Sequence, residues 1–242
     1  MSNAKVGVII PTHKRPKLIA RAYASLKAQT HKNWHLVIIG NGMTDDEWGE
    51  YEELVIDRKK LRCSRNYPSF ANVAQACQFG LAMLDGDTEY VAVLEDDDEW
   101  KPEFLTEMAS ALDYRPECSM AYCDEIELGP DGVEVDWTGH PEIFERSALL
   151  NANWIHFPVQ MWRYHSLLKL GGFCVEVSGA ADWDTALRLS AWGITHVRQK
   201  LAIHHWLTEK HDPEPQNNCL KPWLMEDANK WIKIRKDVRV YS

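Results

Sequence analysis

The chain contains no pair of cysteines separated by two residues, the spacing on which most zinc-binding and thioredoxin-like motifs depend. Its six cysteines are scattered along the sequence, and several lie inside apolar segments, where a free thiol packs as a small hydrophobic group. This distribution gives no support to a zinc finger or a thioredoxin-like redox site. It favours a reducing compartment, so we expect a cytoplasmic protein.

Long apolar runs are also missing. No segment approaches the roughly 20 apolar residues that a membrane-spanning helix needs, and no signal peptide is recognisable before the first apolar segment, Val6–Ile10. We therefore expect no transmembrane segment, while association with a membrane surface is left open.

Basic residues are outnumbered by acidic ones. The 242 residues include 36 acidic and 27 basic side chains, which gives a formal net charge of -9. Polyanion-binding proteins carry a broad basic surface, so nucleic acid is not expected as a partner. The segment Lys230–Arg239 is richer in basic residues, but it is typical of a solvated helix face.

Short apolar segments alternate with segments of helical periodicity in the first half of the chain. Strands are predicted over Val6–Ile10, His35–Ile39, Leu61–Arg65 and Tyr90–Leu94. Helices are predicted after Pro16, over Asp45–Asp57, over Ser69–Leu84 and from Pro102 onwards. This alternation predicts an α/β fold with a mostly parallel central sheet.

The pattern changes after residue 115. The sequence predicts strands over Ser119–Cys123 and Trp154–Trp162, a hairpin turn over Gly129–Gly132, and a helix over Asp182–Trp192 that Gly193 ends. A loop over Leu207–Leu220 and a final helix over Pro222–Lys236 follow. We expect one domain over residues 1–206, with residues 207–242 appended to it.

Five consecutive acidic residues, Glu95–Glu99, follow the predicted strand Tyr90–Leu94. Adjacent carboxylates repel each other by about 1 kcal/mol in water, and by several times more near a protein surface. Most acidic runs are solvated loops, but this one lies at the carboxyl end of a strand, where α/β sheets bind their ligands. A divalent cation would relieve the repulsion, and oxygen ligands suit Mg²⁺ or Mn²⁺. The run therefore favours a metal site that also holds a diphosphate.

Four segments, in order, resemble glycosyltransferase family 2, whose members have the GT-A fold. They are Val8–Arg15, Val37–Asp46, Val91–Pro102, and Gly171–Phe173 together with Ala181–Arg188. The third resembles the family's acidic DxD region and the fourth its acceptor-side motif. The resemblance covers about Lys5 to Trp206. It implies a central sheet flanked by helices, with a nucleotide-binding half at about residues 5–115 and an acceptor half at about residues 116–206.

The resemblance also implies an activity and a donor site. A glycosyltransferase of this kind moves a sugar from a nucleotide-diphosphate sugar to a hydroxyl acceptor such as a carbohydrate, with a divalent metal (Mn²⁺ or Mg²⁺) as cofactor. An inverting reaction and a UDP-sugar donor are the preferred interpretations. The residues implied in nucleotide-sugar binding are Pro11, Thr12, His13, Arg15, Gly40, Asn41, Glu95 and Asp96.

The metal ligands and the catalytic base follow from the same resemblance. The implied ligands are Asp97, Asp98 and one of the pair His204 and His205, since adjacent residues on a strand point to opposite faces. The implied base is Asp182, which is also a good candidate for a helix N-cap. A helix N-terminus would help to keep its carboxylate ionised.

Aromatic residues are abundant in the presumed acceptor half. Sugar rings stack on aromatic rings, although most of the eleven tryptophans are expected in the core. The residues assigned to the acceptor side are Trp154, Trp183, Asp184 and Trp206.

Two departures from the family pattern leave alternatives open. Asn41 stands where many members carry Asp, and it offers the nucleotide base a different set of donors and acceptors. Ala181 stands where the base motif has Glu. Both favour, as one alternative, a nucleotide-sugar-binding module with impaired catalysis. A nucleotidyltransferase is the other alternative, but the early glycine-rich phosphate loop expected of it is missing.

Overall fold

The structure is a computed structural model that describes residues 2–54, 61–66, 70–135, 143–177 and 179–206. The loop and the final helix predicted beyond residue 206 lie outside the described residues, as do residues 55–57 of the second predicted helix. None of the helices in the described part has the length and hydropathy of a membrane span.

Strands and helices alternate as predicted for an α/β protein. The strands are β1 (Val6–Thr12), β2 (Trp34–Asn41), β3 (Leu61–Asn66), β4 (Tyr90–Val93), β5 (Glu99–Trp100), β6 (Met120–Leu128), β7 (Glu134–Val135), β8 (Gln160–Arg163) and β9 (Ile194–His205). The helices are α1 (Pro16–Lys27), α2 (Asp45–Leu54), α3 (Val73–Ala82), α4 (Phe104–Tyr114), α5 (Arg146–Leu149), α6 (Tyr164–Lys169) and α7 (Ala181–Leu189). Short 3₁₀ helices cover Phe157–Val159 and Ser190–Trp192.

The described strands form one sheet in the order β3-β2-β1-β4-β8-β6-β9-β5, with β7 paired to β6. Strands β3, β2, β1 and β4 run parallel, and their register places Thr12 opposite Gly40. The carboxyl ends of these strands therefore meet at one edge. Strand β8 is antiparallel to both β4 and β6, and it joins the parallel half to the second half of the sheet.

The parallel half is buried on both faces. Every residue of β1 and β4 is buried, as expected for continuous apolar strands covered by helices. Helix α3 packs closely on β1 because Gly80 has no side chain; a Cβ there would lie 2.7 Å from Cγ2 of Ile9. Burial of a side chain such as Ile9 contributes about 1.5–3 kcal/mol.

The predicted strand over Trp154–Trp162 is wrong over most of its length. Only its end belongs to β8, and Phe157–Val159 forms a 3₁₀ turn instead. Pro158 explains the difference, because proline has no N–H to donate to a sheet ladder. The segment before β8 is therefore irregular, and it carries polar side chains toward the candidate site.

Two predicted helix starts also shift. Helix α3 begins at Val73, because the side chain of Asn72 caps it by accepting a hydrogen bond from the Gln75 amide at 3.0 Å. Helix α4 begins at Phe104, whose amide bonds the Lys101 carbonyl in a preceding turn. The hairpin turn over Gly129–Gly132 and the helix stop at Gly193 (φ 87°) are confirmed.

Candidate active site

The acidic run lies where β1, β2 and β4 end. Two of its members, Asp96 and Asp98, have no exposed surface, while Glu95, Asp97 and Glu99 are half-buried. A turn closed by the hydrogen bond from the Asp98 amide to the Glu95 carbonyl holds them there. The run is thus built into the protein and is not a solvated loop.

Asp96 anchors the loop that follows β1. Thr12 Oγ1 donates to Asp96 Oδ2 at 2.6 Å, and Arg15 donates to both carboxylate oxygens at 2.5 and 3.2 Å. Burial raises the pKa of Asp96 to about 7, although the charge of Arg15 opposes it. Both oxygens of Asp96 therefore bind this loop, and the contact of Asp96 with a nucleotide that we predicted remains a prediction.

Tyr51 of α2 also bonds the loop that follows β1. Its hydroxyl lies 3.3 Å from Thr12 Oγ1 and accepts a hydrogen bond from the Arg15 amide. Trp48 stacks on Tyr51 with ring centroids 5.9 Å apart and also packs against Gly40, where a Cβ would lie 2.4 Å from the indole. Gly40 is thus needed for packing, and the contribution of Tyr51 was missed in the sequence.

The loop after β2 is tied to the loop after β1. The ring of His13 bonds the Asn41 carbonyl at 2.8 Å. The side-chain amide of Asn41 accepts from the Phe70 amide at 2.7 Å and donates to the Phe70 carbonyl at 3.4 Å. Asn41 therefore fixes the chain leading into α3. Pro11 is buried in β1, opposite Ile39.

The two histidines at the end of β9 have different partners. The ring of His204 lies 3.1 Å from a carboxylate oxygen of Asp98, while the ring of His205 lies 2.8 Å from Glu99. Burial would lower the pKa of His204, but the hydrogen bond and the charge of Asp98 outweigh burial and raise it to about 9. His204 is therefore the member of the pair that lies with Asp98.

The residues present suit a divalent metal by chemistry. Asp97, Asp98 and His204 offer carboxylate and imidazole donors, which Mn²⁺ accepts, and hard-cation sites often combine one or two carboxylates with substrate phosphates. Within the described ranges no three His, Cys, Asp or Glu side chains form a ready-made shell. Nη1 of Arg15 lies 3.0 Å from Asp97, so a metal bound there would share this carboxylate with Arg15 or displace it.

Asp182 is the second residue of α7. Helix α7 begins at Ala181 with Ala180 at the N-cap, so the idea that Asp182 is the N-cap is wrong. Its two carboxylate oxygens accept hydrogen bonds from the Trp183 amide at 2.7 Å and from Asn153 at 2.9 Å. Burial raises the pKa of Asp182, and it outweighs the charge of His156 and the hydrogen bonds from Asn153 and the Trp183 amide, which lower it.

Glu95 connects the acidic run to Asp182 electrostatically. Burial raises the pKa of the Glu95 carboxyl well above its usual value. Neighbouring negative charges raise it further, and they belong to Asp98, Asp97 and Asp182. The fold thus brings together carboxyl groups from the end of β4 and from the start of α7.

A second histidine, His156, was missed in the sequence. It lies in the irregular segment before β8, with Nδ1 3.0 Å from Glu125, and its ring stacks on that of His204 with centroids 5.7 Å apart. Burial would lower the pKa of His156, but Glu125 outweighs it and raises the pKa to about 9. The charge of Asp182 also raises the pKa of His156, so His156 lies within electrostatic reach of Asp182 and in contact with His204.

The four residues assigned to the acceptor side differ in exposure. Trp154 and Trp183 are only 5% and 7% exposed, so both rings belong to the core. Asp184 is also buried, and it pairs with Arg188 at 2.6 Å. Trp206 is 45% exposed, and its indole N–H donates to Glu127 at 3.0 Å. The hypothesis of a stacking platform now applies to Trp206.

Comparison with known proteins identifies the family. The sequence profile described as Glycosyl transferase family 2 matches residues 7–163, more than half of the chain. The chain belongs to glycosyl transferase family 2. The resemblance inferred from the four motifs is thus confirmed, and the chain carries the domain of a glycosyltransferase.

Two relatives match over most of this chain. The uncharacterized protein y4gI of Sinorhizobium fredii is 25% identical over 202 residues, which are 83% of this chain and 21% of that protein. WcaA of Escherichia coli (strain K12), assigned by name to colanic acid biosynthesis as a glycosyl transferase, is 24% identical over 84% of this chain and 74% of its own length. The chain therefore spans about a fifth of one relative and about three quarters of the other.

Solved structures confirm the GT-A fold. TarS 1-349 of S. aureus in complex with UDP-GlcNAc has a TM-score of 0.74 and 16% identity, covering 98% of this chain and 68% of that one. The mannosyltransferase PcManGT of Pyrobaculum calidifontis, in complex with GDP-Man and Mn²⁺, has a TM-score of 0.63 and 17% identity, covering 98% of this chain and 76% of that one. At these identities the likeness establishes the fold alone.

Proposed function

We propose that the chain transfers a sugar from a nucleoside-diphosphate sugar to a hydroxyl acceptor, with inversion at the anomeric carbon and with a divalent metal as cofactor. The observation that carries this proposal is the meeting of the acidic run with Asp182. The charge of Asp182 raises the pKa of Glu95, although more than 80 residues separate them in sequence, so the fold places the start of α7 near the end of β4. A donor site beside a base is what the reaction requires.

The nucleotide is proposed to lie across the loops that follow β1 and β2. Thr12 and Arg15 are held by Asp96 and Tyr51, so the first loop has a fixed shape before any ligand binds. Fixed donors lose less conformational entropy on binding. His13 bonds Asn41 at the same edge of the sheet, where the carboxyl ends of β1 and β2 meet. Relatives of this fold bind UDP-GlcNAc and GDP-Man, which supports a nucleoside-diphosphate sugar, with the uridine form remaining our preferred prediction.

The metal is proposed to bind Asp97, Asp98 and His204. A bound divalent cation would stabilise negative charge on the departing diphosphate as a Lewis acid. The Mn²⁺ found with PcManGT supports a divalent ion for this fold. His205 is not included, because its ring is directed to Glu99.

Asp182 is proposed as the general base. Its oxygens accept hydrogen bonds from Asn153 and from the Trp183 amide, and a carboxylate has about four lone-pair sites, so capacity remains for the proton of the acceptor hydroxyl. Burial raises its pKa, which makes it a stronger base than an exposed aspartate once it is ionised. A single carboxylate base acting opposite the leaving group is the requirement of an inverting transfer.

The first experiment tests donor and metal together. A panel of nucleoside-diphosphate sugars is screened by thermal shift with and without Mn²⁺, since a ligand of the native state raises its apparent stability. Sugar transfer and donor hydrolysis are then assayed for each binder. Metal-dependent binding of one donor class is expected, and Asp97→Asn should abolish its metal dependence. The control Asp87→Asn changes an exposed carboxylate that pairs with Lys5.

The second experiment tests the base. Asp182→Asn should reduce transfer by about 10²–10⁴-fold while leaving donor binding near normal. Asp131→Asn, in an exposed turn, is the control. Full transfer by Asp182→Asn would remove Asp182 from the mechanism. Donor binding without any transfer by the parent would favour a binding module instead.

A further inference from the structure

Asn153 holds one side of the Asp182 carboxylate. Its side-chain N–H donates to Asp182 Oδ2 at 2.9 Å, while the other oxygen accepts from the Trp183 amide at 2.7 Å. The Trp183 bond comes from the same helix, so it does not tie the carboxylate to another segment. The Asn153 bond comes from a different segment, so it fixes the rotation of the carboxylate relative to the rest of the site.

The amide of Asn153 is itself oriented. Its Oδ1 accepts a hydrogen bond from the Ile155 amide at 3.2 Å. This bond assigns the oxygen to the backbone side and leaves the NH₂ group directed to Asp182. Asn153 therefore acts as a donor toward Asp182, and it favours the ionised carboxylate.

Gln160 joins the two segments that carry these residues. Its NH₂ group donates to the Ile155 carbonyl at 2.6 Å and to the Asp182 carbonyl at 3.2 Å. Its Oε1 accepts from the Trp162 indole at 3.0 Å, so the orientation of this amide is also fixed. Gln160 has no exposed surface, and a fully bonded buried amide of this kind holds a unique geometry.

The charge of His156, from the segment before β8, favours the ionised form of Asp182. A charge acts without a preferred direction, so it does not orient the carboxylate. The directional contacts from other residues are the hydrogen bonds of Asn153 and of the Trp183 amide.

We propose that Asn153 is a positioning residue that orients the carboxylate of Asp182 toward the acceptor, with Gln160 fixing the distance between their segments. This inference rests on the proposed role of Asp182 as the base. Among the described residues, the Asn153 side chain bonds Asp182 and the Ile155 amide, so we expect its effect on the base and not on the donor.

The test compares Asn153→Ala with the matched control Asn151→Ala, whose exposed side chain donates to the Ser147 carbonyl of α5. Asn153→Ala should lower kcat by about tenfold or more with an unchanged KM for the donor. The acidic limb of its kcat/KM profile should move to higher pH by about one unit, because a donor to the ionised carboxylate is lost. Asn151→Ala should match the parent. Thermal unfolding checks that both variants are folded.

A measurement that does not need turnover separates the inference from the proposed function. Carboxyl carbons of ¹³C-labelled aspartate are titrated by NMR, with the Asp182 signal assigned by its loss in Asp182→Asn. The pKa of Asp182 should be higher in Asn153→Ala than in the parent. If Asp182→Asn is inactive but Asn153→Ala keeps the parent's kinetics and the parent's Asp182 pKa, the inference is overturned and the base assignment stands. If Asp182→Asn transfers sugar normally, the base assignment fails, and with it the positioning role.

Discussion

Nη1 of Arg15 lies 3.0 Å from Oδ2 of Asp97, the residue proposed as a metal ligand. The same guanidinium is anchored by two hydrogen bonds to buried Asp96, so Arg15 is held beside the acidic run. Arginine stays protonated at every accessible pH. A divalent cation that binds Asp97 must therefore share this carboxylate with Arg15 or displace it. The negative charge of the donor diphosphate would reduce the repulsion between the divalent cation and Arg15, so that both can lie beside Asp97.

Arg15→Gln should bind Mn²⁺ about tenfold more tightly than the parent when no nucleotide is present, because a competing positive charge is removed. Isothermal titration calorimetry with Mn²⁺ alone measures this directly. The variant should also lose about 3 kcal/mol of stability, since buried Asp96 loses its partner. Titrations are therefore made well below its melting temperature.

Lys14→Gln is the matched control for that experiment. Lys14 is the neighbouring basic residue, and its ammonium pairs with Glu47 at 3.5 Å and not with the acidic run. The Mn²⁺ affinity of Lys14→Gln should equal that of the parent. Equal affinities for Arg15→Gln and the parent would show that Arg15 does not compete with the metal.

Asp184→Ala should destabilise the fold by about 3–5 kcal/mol. Asp184 and Arg188 are a nearly buried ion pair, with side chains 8% and 11% exposed, and Arg188 also donates to the carbonyls of Leu170 and Gly172. Removing the carboxylate leaves a buried guanidinium without its counter-charge. Urea unfolding measures the loss. Glu145→Ala, at an exposed position, should stay within about 0.5 kcal/mol.

This substitution also decides whether Asp184 belongs to the acceptor site. If the variant keeps the parent's stability and loses only acceptor affinity, the acceptor role is correct and the structural role is not.

The sequence predicts the parallel half of the fold well, for a physical reason. Strands such as Val6–Thr12 and Tyr90–Val93 are covered on both faces, so their residues form continuous apolar runs that are visible without a structure. The position of the acidic run follows from the same strands, because parallel strands place their carboxyl ends at one edge. The order of the motifs then identifies the family.

The parts of the site that the sequence analysis did not predict depend on tertiary contacts, which leave no local pattern in the sequence. Asn153 reaches Asp182 from an irregular segment, and Tyr51 reaches Thr12 from the buried face of a helix, where an aromatic residue is expected for packing alone. The sequence analysis placed His204 and His205 on a strand but gave no bounds for β9, which has 12 residues. Register shifts interrupt its pairing with β6 near Asp124 and break the alternation of its side chains. Such features are set by tertiary structure.

His35 should make the stability of the protein fall in mild acid. Its Nε2 accepts a hydrogen bond from the Asp85 amide at 3.2 Å, so the folded state holds the ring neutral. Burial lowers the pKa of His35 below its usual 6.5. The unfolded chain then binds a proton at a pH where the folded state does not, so stability present above about pH 6.5 is lost as the pH falls through the folded pKa.

Urea unfolding at pH 7.5, 6.5 and 5.5 measures this loss. One group contributes a slope of at most about 1.4 kcal/mol per pH unit. The slope below pH 6.5 should be smaller in His35→Gln than in the parent. His165→Gln, at an exposed position, should keep the parent's slope. An equal slope in His35→Gln would assign the acid sensitivity to other groups.

Trp206 is the remaining candidate for an acceptor platform, and its substitution tests which substrate it contacts. Its backbone amide bonds the Leu128 carbonyl at 2.8 Å and its indole donates to Glu127, so the half-exposed ring is held in one orientation two residues after His204. A fixed aromatic face suits stacking on an apolar sugar face. Trp206→Ala should raise the KM for the acceptor about tenfold and leave the KM for the donor unchanged. Trp206→Phe keeps a ring but loses the hydrogen bond to Glu127. Its KM for the acceptor should therefore lie between those of the parent and of Trp206→Ala. Tyr114→Ala, which removes an 81% exposed ring at the end of α4, should change neither constant. A rise in donor KM alone would place Trp206 on the nucleotide-sugar side of the site.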